Sequence, residues 1–225
     1  MRYRRTVSAT NALAAVNPSH QDIESQGVDD LQLGDEPFLL PLLSDDPKLG
    51  DQRMNVPIDR RIQEFTGLRV LIDTPTQFAT VCARLRALMG RATIPDLVAL
   101  AREPIGEVEF ARRINERFVG PSGFMLFAEI NHGGWISKFG INRSTLRLIL
   151  GNPLIAITML RHDLIAGLFA PVEILVTEHE DKQGTNLVYV QPSSLIVVED
   201  NPPLRSAAEA LDTKLADLIA SAVCP

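Results

Sequence analysis

From Thr66 to Val223 the apolar residues follow two rhythms, and each change of rhythm marks an element boundary. Leu68, Val70 and Ile72 alternate with Arg69, Leu71 and Asp73, the period of a strand with at least one buried face. Thr74-Pro75 offers an N-cap and a first-turn proline. Phe78, Val81, Cys82, Leu85, Leu88 and Met89 then step by three and four, which predicts a helix with one apolar stripe ending at Gly90. A second helix is predicted from Ile94 to Arg102 behind the Thr93 cap, and a third from Gly106 to Val119. Val108, Ala111, Ile114 and Phe118 share one side of the third. Gly120-Pro121-Ser122-Gly123 reads as a loop.

Phe124–Asn131 returns to the period of two, with Phe124, Leu126, Ala128 and Ile130 in phase. Met125 and Phe127 make the opposite face apolar as well, so the start of this strand is expected to be covered on both sides. Thr145–Leu150 is the next strand. Asn152-Pro153 carries cap and first-turn chemistry, and the following helix is expected to reach about Phe169, before Pro171. Val172–His179 and Thr185–Val190 read as a hairpin around the polar turn 180–184. Pro202-Pro203 opens a long final helix with Leu204, Ala208, Leu211, Leu215 and Leu218 down one side.

The order β-α-α-α-β-β-α-β-β-α does not alternate strictly, which argues against a doubly wound parallel sheet. The expected fold is α+β: a single mixed or antiparallel sheet of about five strands, with helices packed chiefly on one face and a long C-terminal helix among them. The domain is assigned to residues 65–223. Residues 1–64 read as a mostly disordered, acidic, proline-containing extension, since Asp22 to Asp51 is rich in acids and Pro37, Pro41, Pro47 and Pro57 break any helix. Its apolar cluster, Phe38–Leu43, could dock on the domain or on a partner.

Composition narrows the function classes. A net charge of −6 and a pI near 5.3 speak against nucleic acid and anionic membranes as partners. The longest apolar runs are far too short to cross a bilayer. Cys82 and Cys224 have neither metal-ligand nor CxxC spacing, so both are expected to be reduced thiols, in keeping with a cytoplasmic location. Arg2, Arg4 and Arg5, with no acid before Asp22, echo a mitochondrial transit peptide, and that compartment is the alternative.

Candidate chemistry gathers in Phe124–Pro171, where one strand ends in Asn131-His132 and the next in Gly151-Asn152-Pro153. The twelve residues 133–144 are about the minimum for a crossover between parallel strands. In that case His132 would face the Gly151-Asn152 turn and a helix N-terminus, whose free N–H groups favour an anion, with Lys138 and Arg143 adding charge. A hairpin would instead put the two motifs at opposite ends. A histidine that merely satisfies a backbone carbonyl is the competing reading. No Ser-His-Asp order, HExxH, glycine-rich nucleotide loop or paired carboxylates appear, and no metal or cofactor is expected.

His132, Gly140, Gly151-Asn152-Pro153, Met159 and Pro171, with apolar strands before His132 and before Gly151, give this stretch its likeness to a known family. It resembles the domain-of-unknown-function 302 family, with two departures. Asn131 stands where the family often has Asp, and Gly133-Gly134-Trp135 replaces a small, Ala-rich helical start. The resemblance implies a compact α+β domain, often a homodimer, with no established catalytic residues. The candidate ligand-binding residues are His132, Trp135, Lys138, Gly151, Asn152 and Met159. The expected function is binding of a small apolar or anionic ligand, or of a protein partner. The alternative is an enzyme acting on an apolar anionic metabolite, with His132 as general acid or base.

Overall fold

The computed structural model describes residues 59–224. Of the extension expected over residues 1–64, residues 1–58, with the Phe38–Leu43 cluster, lie outside them, and residues 59–64 are exposed and form neither helix nor strand. In chain order the elements are β1 (Arg69–Thr74), α1 (Phe78–Leu88), β2 (Gly90–Arg91), α2 (Ile94–Ala101), α3 (Glu107–Arg117), β3 (Met125–Asn131) and α4 (Gly133–Ile136). They continue with β4 (Thr145–Gly151), α5 (Pro153–Leu160), β5 (Val172–Glu178), β6 (Thr185–Val190), α6 (Pro192–Ile196) and α7 (Pro202–Val223). The strands form one six-stranded mixed sheet in the order β1-β6-β5-β4-β3-β2. Every neighbouring pair is antiparallel except β2 with β3.

Alternation decides which face of the sheet is covered. Leu146, Leu148 and Leu150 on β4, Val172, Ile174 and Val176 on β5, and Leu187 on β6 turn to one side and are buried. Val81, Cys82 and Leu85 of α1 meet them there, together with Leu204, Ala208, Leu211, Leu215, Leu218 and Ile219 of α7. Each such aliphatic side chain contributes roughly 1.5–3 kcal/mol by leaving water. A smaller cluster of Ala92, Leu100, Ile114, Phe118 and Met125 joins α2 and α3 to the start of β3. Met125 belongs to this cluster and Leu126 to the main one, so the start of β3 is covered on both sides, as its two apolar faces require.

The backbone of Gly90 lies against residues 118–120. A Cβ at Gly90 would stand 1.8 Å from the Phe118 carbonyl oxygen, and one at Gly120 would stand 2.2 Å from the Gly90 nitrogen. Glycine at both positions permits the approach that lets Gly90 and Arg91 join β3 as β2.

Local chemistry moved several boundaries. Thr74 closes β1 rather than capping α1: its Oγ1 accepts from the Thr76 N–H at 3.2 Å, and α1 begins three residues after Pro75. Thr93 does cap α2, in a capping box with Asp96. The helix expected to reach Phe169 ends at Leu160, so Arg161-His162-Asp163 lies beyond it rather than in its middle. There Asp163 Oδ1 accepts from the Ile165 N–H at 2.8 Å and opens a separate 3-10 turn, Leu164–Phe169. The short helix α6 was not expected. Asp212 of α7 holds its start, accepting from the Ser193 N–H and from Gln191 Nε2, both at 2.9 Å.

Candidate functional site

β3 and β4 are antiparallel, with Asn131 opposite Leu146 and Met125 opposite Gly151. Of the two connections open from the sequence, the structure therefore has the hairpin-like return and not the crossover. Six residues of strand, roughly 20 Å, separate His132 from the Gly151-Asn152 turn, and the two do not share a site. The linker is partly helical, but α4 and the 3-10 turn Ser137–Phe139 are too short to span the sheet. Gly140, with φ +82°, then turns the chain back.

The polar groups around the turn are committed to structure. Asn152 is 9% exposed; its Oδ1 accepts from the Leu154 N–H at 2.8 Å and its Nδ2 donates to the Gly123 carbonyl at 2.9 Å. A Cβ at Gly151 would meet Phe127 at 3.1 Å and Pro171 at 3.3 Å. Met159 is 1% exposed in the main core. Asn131 Oδ1 accepts from the Gly134 N–H at 3.0 Å, so this side chain caps α4 instead of orienting the imidazole. The cap offsets part of the penalty that Gly133 and Gly134 impose on this short helix.

His132 lies at the other end of the sheet face that carries neither α1 nor α7. Its ring meets the half-exposed Trp135 edge-on at 5.9 Å, and Trp135 meets the exposed Phe139 at 6.2 Å. Lys138, next to Phe139, is exposed. Among the described residues no side chain hydrogen-bonds to the His132 ring. The imidazole lines a groove of about 470 Å³ with Leu168, Phe169, Leu175, Val188 and Val190. Arg147 and Glu173 line it too, and Arg147 Nε donates to Glu173 Oε2 at 2.8 Å. Neither was a sequence candidate. The available signal was their place among apolar neighbours on the same strand face, Ile149 and Leu175.

The remaining titratable groups are occupied elsewhere. Burial pushes the Cys82 thiol up to about 11, which leaves it protonated and unreactive at neutral pH. Glu129 is held below the usual carboxylate range, first by its hydrogen bonds from Arg86 at 2.7 and 2.8 Å. A recess of about 450 Å³ lined by Arg86, Arg143 and Lys182 looks cationic. Arg86, however, is engaged by Glu129, and Arg143 by the Glu178 carbonyl and the Glu180 carboxylate. The His179 ring packs over Gly184, with Nε2 buried 2.9 Å from Asp73 Oδ2 at an angle that makes no straight hydrogen bond.

Residues 107–222, more than half of the chain, match the family model described as domain of unknown function DUF302. The chain belongs to the DUF302 family. The match takes in everything from α3 to the last turn of α7, and leaves β1, α1, β2 and α2 outside it. The crystal structure of an uncharacterised conserved DUF302 protein from Bacillus stearothermophilus is similar at 16% identity, over 68% of this chain and 97% of that one, with a TM-score of 0.48. No curated protein matches this DUF302 chain. Among the described residues no helix is long and apolar enough to cross a membrane.

Proposed function

We propose that this DUF302 domain is a binding module for a small amphiphile. The apolar body of the ligand lies over Leu175, Val188 and Val190 beside Leu168 and Phe169, and its head turns towards His132 and Arg147. The groove over the sheet carries this reading. Its volume of about 470 Å³ falls within the range of about 300–1,000 Å³ typical of small-molecule sites, and its mixture of aliphatic walls with a few polar groups is the usual one. The imidazole is open to a new hydrogen bond, and Arg147 can share its planar fork between Glu173 and an anionic head. Catalysis by His132 has less support, because general acid–base work needs a group that positions the base, and Asn131 is spent on Gly134.

Thermal shift and titration calorimetry of the full chain test the reading, with a ten-carbon carboxylate and the matching alcohol as probes. The carboxylate should stabilise the protein more than the alcohol. Arg147→Ala should weaken carboxylate binding by about tenfold or more, the worth of a charged hydrogen bond, and His132→Ala should weaken it less. Equal shifts for both probes, unchanged by Arg147→Ala, would sink it.

A further inference from the structure

β1 (Arg69–Thr74) stands at the end of the sheet and pairs with β6, and among the described residues no strand covers its other edge. An open six-residue edge is a template for another strand. The Gln191 N–H donates to the Leu68 carbonyl at 2.8 Å, which sets the phase of the ladder. Val70, Ile72 and Thr74 turn their backbone groups to β6, and Arg69, Leu71 and Asp73 turn theirs to the open edge. Side chains alternate the other way, across the faces. Val70 and Ile72 pack on the main core, while Arg69, Leu71 and Asp73 are exposed, Leu71 at 71%.

We infer that this edge pairs with the same edge of a second copy, antiparallel about a two-fold axis through Leu71. The strand is complementary to itself around that residue. With Leu71 opposite Leu71 of the second copy, Arg69 falls opposite Asp73 at each end and Val70 falls opposite Ile72. The outward-facing backbone groups of residues 69, 71 and 73 then meet in phase, with two hydrogen bonds in each of the three opposed pairs. Opposite charges placed across a ladder stabilise it and like charges destabilise it, so the Arg69–Asp73 pairs select this register. Sliding by two residues sets Arg69 against Pro75 or Asp73 against Gly67, and both charge pairs are lost.

Asp73 is open to this contact. Its Oδ2 lies 2.9 Å from His179 Nε2 without a hydrogen bond, and its side chain remains 75% exposed, which leaves the carboxylate accessible to an incoming guanidinium. A ladder about 20 Å long covers less than the roughly 800 Å² per partner of a standard interface. The dimer is therefore one that dissociates on dilution.

Sedimentation equilibrium of the full chain over a wide concentration range tests the pairing. Wild type should pass from monomer to dimer. Arg69→Asp and Asp73→Arg should each weaken dimerisation by about tenfold or more, because each places like charges at both ends of the ladder. The double swap Arg69→Asp/Asp73→Arg should restore the wild-type constant within about threefold. Leu71→Lys puts two ammonium groups on the axis and should also give a monomer; its side chain is exposed, so the fold is spared. A wild type that stays monomeric throughout overturns the proposal. So do folded single swaps or Leu71→Lys chains that dimerise like wild type, or a folded double swap that does not recover.

Discussion

The Asn152 amide uses both of its ends within the turn, as acceptor from Leu154 and donor to Gly123, while nine-tenths buried. Asn152→Ala removes a cap and leaves the half-buried Gly123 carbonyl without its donor, and these two losses together should cost about 1–3 kcal/mol. Urea denaturation measures that loss, and affinity for the carboxylate probe at the groove should be unchanged. An equal loss of binding would mean that the turn and the groove are coupled. The cap was legible in the sequence because Asn-Pro before an apolar run is a local signal. The partner assigned to it was not legible. Whether His132 stands beside Asn152 depends on a strand direction that twelve intervening residues leave open, and the antiparallel pairing of β3 with β4 decides it. Arg147 and Glu173 were passed over for a related reason, since their meeting requires the register of β4 on β5.

Between elements, Glu129 is the tie from β3 to the helix layer, held by both nitrogens of the Arg86 fork on α1, with Arg91 at 3.6 Å. These contacts, the Arg86 hydrogen bonds first, lower its folded pKa below the unfolded value of about 4.3. A lowered carboxylate stabilises the fold above that unfolded value, and the contribution disappears as pH falls through the folded one. Glu129→Gln should therefore be less stable than wild type at neutral pH, and the two stability curves should converge in acid. Denaturant titrations between pH 7 and pH 2.5 check this; a constant gap down to the lowest pH would remove Glu129 from the acid limb. The rhythms of the sequence placed β1, β4, β5, β6 and α7 to within a residue or so, because each has a covered face long enough to show its period; β3 was placed by its apolar start, and the bulge between Leu126 and Ala128 breaks the single phase read from Phe124 to Ile130. The failures were short or interrupted pieces. Two-residue β2 has no period to read, α6 depends on Asp212 from a distant helix, and α5 lost its second half to the competing acceptor Asp163.

At the scale of the molecule, the packing is unequal. α7 and α1 lie against the middle of the sheet through one continuous cluster, whereas α2 and α3 hold on through five buried residues and the two-residue β2. Local stability follows buried apolar contact, so the segment from β2 through α3 should open as a unit below the free energy of global unfolding. Native-state hydrogen exchange can resolve this. Amides of α2 and α3 should exchange through a low-energy opening, and those of α7, β4 and β5 only through the global one. Ile114→Ala, in the small cluster, should lower the opening energy of α2 and α3 by about 2–5 kcal/mol. If the local opening already lies well below the global one, the exchange of α7 amides should change far less. Leu215→Ala, in the main cluster and fully buried, should lower the protection of α7, β4 and β5 by a similar amount. Equal protection of α3 and α7 in wild type would show instead that the close passage of Gly90 against residues 118–120 locks the two clusters into one cooperative unit.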